Sequence, residues 1–288
     1  MGYALITLAI GSFPYAEISH PSMRAYAERI GCDFIAITGD APDKVSAHSR
    51  KLEIANHLMT YDRIIYVDGD VMINKNCPDL FAEVPPDKIG ATVEEEPFFR
   101  ERSRFLRDAC KLYDVTIDEE QLSHERWFNS GVMVVSRCHA PMFGVAEGVK
   151  IQRCNGFVDQ AFLNAMRIRC GVSLHDLGLG NNYIASVMFS NHRQLSPFQA
   201  GMFHATGALH PHSLRMEYMR QFNRISNALG SKQSTRNRLG RFVRIIDRFF
   251  FLKVAMKCRK NPMKRWVMSP IASMVLSMLL VSHRFLRL

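Results

Sequence analysis

Several things are missing or scarce in this chain, and each absence narrows the reading. The seven cysteines, at 32, 77, 110, 138, 154, 170 and 258, are scattered and form no C-x-x-C pair, and no secretory apolar segment opens the sequence. The expectation is a reducing compartment. No internal repeat and no low-complexity linker divides the chain. Acid is nearly absent from one region: residues 232–288 carry 14 Lys/Arg and a single acid, Asp247, whereas residues 1–231 carry 23 bases against 26 acids. The overall +10 therefore belongs to the C-terminal part. AIGSFPYAE (9–17) lacks the glycine-rich, arginine-bearing loop that a sugar-phosphate nucleotidyltransferase needs after its first strand. What remains is a folded chain, whose 288 residues at 47% hydrophobic content suffice for one large or two modest domains.

The apolar pattern alternates between two periods. YALITLAI (3–10) has the composition of a buried parallel strand, and a helix after it has Met23, Ala27 and Ile30 on one face with Gly31 as its stop. DFIAIT (33–38) follows as a strand. The cycle recurs in SRKLEIANHLMTYDRIIYV, where Leu52, Ala55 and Met59, joined by Ile54 and Leu58, predict a helical apolar face before a strand over 64–67. Strands are also predicted over 89–94, 128–136, at VSLHDLG (172–178) and over 202–207, with a helix opening in 155–168 whose Phe162, Leu163 and Met166 face inward. Residues 97–126 are charged and partly helical, and are expected to be an insertion. Alternating elements of this kind predict an α/β fold with a mostly parallel sheet covered by helices on both faces.

Asp68 and Asp70 stand at the end of one such strand, in YVDGDVMI (66–73), where sheets of this class bind their ligands. A pure strand would send the two carboxylates to opposite faces, and Gly69 is expected to permit a turn that brings them together. Two carboxylates so close repel each other unless a cation lies between them. Hard oxygen ligands favour Mg²⁺ or Mn²⁺ shared with a phosphate. The competing reading is a solvated surface turn.

With its neighbours, YDRIIYVDGDVMINKNCPDLF resembles the D-x-D segment of the GT-A (Rossmann-like, mixed-sheet) glycosyltransferases, and most of all the glycogenin-like and bacterial lipopolysaccharide enzymes of glycosyltransferase family 8. The resemblance spans residues 3–212 and implies a metal-dependent, retaining transferase using Mn²⁺ (or Mg²⁺) and a UDP-sugar donor. It sets Thr7, Leu8 and Ala9 against the nucleobase, with Tyr15 as the ring that stacks on it, a service worth about 1–3 kcal/mol per base. Tyr15 reads equally as a half-buried aromatic at a helix start. SRKLEI places Lys51 near the diphosphate, with Arg50 as its neighbour. FNSGVMVV is similar to the family's Asn-(Ala/Ser)-Gly segment, so Asn129 and Ser130 would meet the donor sugar and Gly131 would allow close approach. VDQAFLN supplies Asp159 and Gln160 beside the reacting carbon, as nucleophile or as stabiliser of a cationic sugar, with Asp159 also a helix N-cap. FHATGALHPH makes His204 the third metal ligand beside Asp68 and Asp70, and keeps Gly207 and Pro211. It departs from the family where His210 replaces a phosphate-gripping lysine and His212 a tryptophan.

The expected organisation is a catalytic domain over 1–215, with 97–126 reading the acceptor through Phe98, Phe99, Tyr113 or Trp127, and a basic helical tail over 216–288. In RNRLGRFVRIIDRFFFLK, Leu239, Phe242, Ile246, Phe249 and Phe250 recur at helical spacing among Arg238, Arg241, Arg244 and Arg248. That is the pattern of a helix lying in an anionic membrane surface. The apolar run Trp266–Ser282 is short of a comfortable span and broken by Pro270. Residues 232–288 thus favour lipid over nucleic acid, with the protein cytoplasmic and peripheral on the inner membrane face and a saccharide or lipid-linked saccharide as acceptor. The non-enzymatic alternative is a degenerate domain that only binds membrane or nucleic acid.

Overall fold

Nine strands form two sheets in the computed structural model, which describes residues 2–41, 44–94, 99–144, 151–185, 198, 200–206 and 212–229. β1 (Tyr3–Ile10), β2 (Asp33–Gly39), β3 (Arg63–Val67), β5 (Lys88–Val93), β6 (Phe128–Ser136) and β7 (Ser173–Asp176) make a six-stranded sheet in the order β2-β1-β3-β6-β5-β7. β6 runs antiparallel to both its neighbours, and the other pairings are parallel. All five residues of β3 and all nine of β6 are buried, and the unbroken apolar stretches are 64–67 in β3 and 132–135 in β6.

The period of two sorts these side chains between the faces. Ala4, Ile6, Ile64, Tyr66 and Met133 enter one apolar cluster, while Leu5, Ile65, Val67, Val132 and Val134 enter another with Met23 and Ala27 of the helix Ala16–Ile30. That helix ends at Gly31, whose φ of +71° is the left-handed cap its lack of a side chain allows. Since the chain leaves β1 for β2 on one side and returns to β3 on the other, a crevice opens at the carboxyl ends of β1 and β3.

A short second sheet, β4 (Val71–Ile73), β9 (Met202–His204) and β8 (Tyr183–Ile184), lies directly beyond Asp70. β4 pairs antiparallel with β9, Val71 opposite His204, so a strand of three residues carries the distant imidazole to the two acids. The helix His212–Leu229 packs behind, burying Met219 and Phe222 with Tyr15, Met72 and Phe203. The boundary expected at 215 falls inside this helix. Packing against the main body continues to Ser226, whose hydroxyl donates to Asn74 Oδ1.

Two expectations are corrected by burial. The charged segment 97–126 is no peripheral insertion: the helices Phe99–Leu112 and Glu119–His124 drive Leu106, Ala109, Cys110, Tyr113 and Leu122 into the main core. Tyr113 and Trp127 are buried against Phe162 and Phe157, do not line the crevice, and cannot greet an acceptor. The expected helix before β3 is broken into Lys44–Ser49, a 3-10 turn Arg50–Glu53 and Ile54–His57. Its buried stripe is Lys51, Ile54 and Leu58, while Met59 is 78% exposed. A lysine therefore sits on the inward face, where it needs partners. Phe98 and the tail over 232–288 lie outside the described residues; among those described, no helix is long and apolar enough to cross a membrane.

Candidate active site

A cleft of about 600 Å³ lies over the carboxyl ends of β1 and β3. At its floor Asp68, Asp70 and His204 each offer a ligand atom, and these atoms lie within 4.8 Å of one another. His204 Nε2 stands 3.3 Å from Asp70 Oδ1 and 3.7 Å from Asp68 Oδ2. Tyr66, under the same strand end, donates its hydroxyl to Asp68 Oδ1 at 2.7 Å and fixes that carboxylate. Burial would raise Asp70, but His204 and Arg215 outweigh it and hold the carboxyl below its usual range. Two carboxylate oxygens and one imidazole nitrogen suit Mn²⁺ or Mg²⁺, so the residues fit the expected ion.

Two glycines make this convergence possible by their lack of a side chain. A Cβ on Gly131 would run into His204 Cε1 and stand 2.8 Å from Asp68 Oδ2. One on Gly69 would run into the Phe13 ring and stand 2.7 Å from the Leu8 carbonyl oxygen. Gly69 has no positive φ. It serves close approach between β1 and the Asp-Gly-Asp turn, and not the special turn geometry expected of it.

Lys51 lies beneath the floor, 2% exposed. Its ammonium donates to Asp159 Oδ2, to the Ser130 carbonyl at 3.0 Å and to Ser130 Oγ at 3.3 Å, stands 3.1 Å from Asp68 Oδ1, and rests 4.7 Å from the Tyr66 ring centroid. Burial works against its charge, yet Asp159 and Asp68 hold the ammonium above its ordinary value. Asp159, the first residue of the helix Asp159–Arg169, also accepts from Ser130 Oγ at 2.9 Å and lies 3.2 Å from His48 Nδ1. Burial opposes its ionisation, but Lys51 and His48 hold its carboxyl far below the usual range. Two expectations change here. Lys51 is spent on the acids and Ser130, so it orders the floor and is not a free grip for a diphosphate. Asp159 does not cap its helix; Val158 holds that position.

Glu94, at the end of β5, gathers the far wall. Its Oε1 accepts from Asn129 Nδ2 at 3.1 Å and Gln160 Nε2 at 3.4 Å, and its Oε2 meets Arg102 at 2.5 Å. Arg102 in turn lies over the rings of Phe105, Trp127 and Phe157, at 4.8 to 5.9 Å. Asn129 Oδ1 accepts from the Gly131 amide at 3.0 Å, tying this wall to the metal floor. Of Thr7, Leu8 and Ala9, only Leu8 lines the cleft, with Ile10, because the strand's alternation turns the other two side chains away. Tyr15 borders the cleft beside Phe13 but is only 4% exposed, so just an edge of its ring is open, and Arg215 lies 5.5 Å from the ring centroid. Gly207 and His210 lie outside the described residues.

Sequence reasoning missed Glu94, Arg102, His48 and Arg215. Glu94 carried the same signal as Asp68, an acid closing an apolar strand, and His48 stood one turn before Lys51. Nothing in the local pattern marked Arg102 or Arg215.

Residues 44–137 match the family described as Glycosyl transferase family 8. The match takes in Lys51, Asp68, Asp70, Glu94, Asn129 and Ser130 and ends before Asp159 and His204. No curated protein sequence matches the chain. Among solved structures, a glycosyltransferase involved in glycosylation of the major capsid of PBCV-1 superposes with a TM-score of 0.52 at 14% identity, covering 76% of this chain and 100% of that one. The galactosyltransferase LgtC, solved with donor and acceptor sugar analogs, gives 0.48 at 12% identity, over 81% and 99% of the two chains. The first of these likenesses supports the GT-A fold.

Proposed function

We infer that this chain, whose residues 44–137 match the model of glycosyl transferase family 8, is a metal-dependent, retaining glycosyltransferase of that family that takes hexose from a UDP-sugar to a saccharide or lipid-linked saccharide. The observation that carries this reading is the convergence of Asp68, Asp70 and His204 at the floor of a cleft whose next wall holds Asp159 and Gln160.

When bound there, a divalent ion would neutralise charge on the diphosphate and make UDP a better leaving group. The chain's own residues supply the rest. Leu8 and Tyr15 offer the base an apolar edge and a ring. Asn129 and Gln160, held by Glu94, offer amide groups to the sugar's hydroxyls. Asp159, kept ionised by Lys51, places negative charge where the anomeric carbon becomes positive as UDP departs. Buried and packed, this constellation loses little freedom at the moment of reaction.

Mn²⁺-dependent release of UDP from UDP-hexoses tests the reading. Asp68→Asn and Asp70→Asn are expected to lower turnover by about a hundredfold or more while leaving the circular dichroism spectrum unchanged. Full turnover in both variants, or no release by the folded wild type from any UDP-hexose, would overturn it. The basic, aromatic composition of 232–288 supports docking on an anionic inner membrane face, which would bring a lipid-linked acceptor to the cleft. Equal sedimentation with anionic liposomes after removal of those residues would refute that part.

A further inference from the structure

The diphosphate end of the cleft needs a permanent positive charge, and the lysine assigned to it from sequence is already engaged. Lys51 is buried among Asp159, Asp68 and Ser130. Arg102 is held by Glu94 and three rings. Arg215, from the first turn of the helix His212–Leu229, is placed differently. Its Nη1 donates to Asp70 Oδ2 at 2.8 Å, and its guanidinium carbon lies 5.5 Å from the Tyr15 ring centroid. It spans the interval between the nucleobase platform and the metal carboxylates, which a diphosphate must cross if uracil rests on Tyr15 and the ion on Asp70.

Two details fit a ligand here. Arg215 lines the cleft, and its Nε is buried with no partner among the described residues, so the guanidinium is less fully engaged than the Lys51 ammonium. Asp70 is divided between its neighbours: Oδ1 faces His204 Nε2 and Oδ2 faces Arg215, so the guanidinium need not leave for an ion to bind. A guanidinium keeps its charge at every physiological pH and offers phosphate a planar fork of donors. An imidazole with an ordinary value near 6.5 does neither.

We propose that Arg215 is the diphosphate-binding cation of this transferase, doing the work of the lysine that His210 replaces. The proposal rests on reading the cleft as a nucleoside-diphosphate-sugar site. Calorimetric titration of the full chain with UDP and with uridine, in Mn²⁺, tests it. Arg215→Ala is expected to weaken UDP binding roughly tenfold to a hundredfold, as the loss of charge-assisted hydrogen bonds implies. Uridine affinity stays unchanged, Arg215→Lys recovers part of the loss, and His210→Ala alters UDP affinity less than about threefold. If Arg215→Ala does not fold, Arg215→Gln takes its place with the same outcomes. Undiminished UDP affinity would overturn the proposal. So would equal losses for UDP and uridine, which assign Arg215 to supporting Tyr15, or a matching loss of Mn²⁺ affinity, which assigns it to holding Asp70. A folded wild type that binds no UDP in Mn²⁺ would instead remove the donor reading itself.

Discussion

Lys51 and Arg215 are cations on opposite sides of the same pair of acids, and their surroundings differ. Around Lys51 the bonding is complete: Asp159, Asp68, the Ser130 carbonyl and hydroxyl and the Tyr66 ring all engage one ammonium. Around Arg215 it is open, for Arg215 Nε and His204 Nδ1 are buried without partners among the described residues. An unmade buried hydrogen bond costs about 1–3 kcal/mol, which a fold tolerates where a ligand can supply the missing partner. The Lys51 side is therefore built to hold geometry before anything binds. The Arg215 side keeps capacity in reserve.

If that contrast is right, removing the charge of Lys51 should harm folding, whereas neutralising Arg215 should harm binding. Lys51→Met leaves Asp159 and Asp68 facing each other's side of a buried gap without their cation. Loss of one partner from such an arrangement costs about 3–5 kcal/mol. A large fall in melting temperature, together with loss of UDP release, is expected. A Lys51→Met protein as stable as wild type would mean that the network is incidental.

The sequence showed one side more readily than the other, for physical reasons. Asp68 and Asp70 were legible because a fully buried strand has an unmistakable apolar run, and acids at its end have nowhere else to be. Lys51 was found but misplaced, since its stripe of Lys51, Ile54 and Leu58 needs a helix broken by a 3-10 turn, and a regular period chose Met59 instead. The helix Phe99–Leu112 hid its buried face at Leu106, Ala109, Cys110 and Tyr113 among charges, although the spacing of three and four was there. β4 was absorbed into the Asp-Gly-Asp motif, because three residues are too few to show a period. Arg215 acquires meaning only through the pairing of distant elements, which no local pattern records.

Between the two cations lies the shared floor, where Gly131 offers a milder test. Its missing Cβ is the space that His204 and Asp68 occupy, so Gly131→Ala should push both ligands apart while the buried strand β6 stays paired. Overpacking of this kind costs about 1–3 kcal/mol. The expected result is a modest loss of stability with at least about a tenfold loss of Mn²⁺ affinity, read by electron paramagnetic resonance. Retained Mn²⁺ affinity would show that the floor can relax and that His204 is not confined as the structure shows.

The smallest effect concerns pH, and it separates a satisfied network from a titrating one. Asp159 is held below its ordinary value, so its contribution to stability is complete above about pH 4, the usual carboxylate range, and is lost as pH falls through the folded value. Lys51 is held above its ordinary value, so its contribution is complete below about pH 10 and is lost only as pH rises through the raised one. Neither group changes charge in between. The difference in melting temperature between wild type and Asp159→Asn should then be constant from about pH 5.5 to 8 and should shrink below about pH 4. A difference that drifts across neutrality would show that Asp159 is not held by the Lys51 pair alone, and His48, 3.2 Å from Asp159 Oδ1, would be the neighbour to replace next.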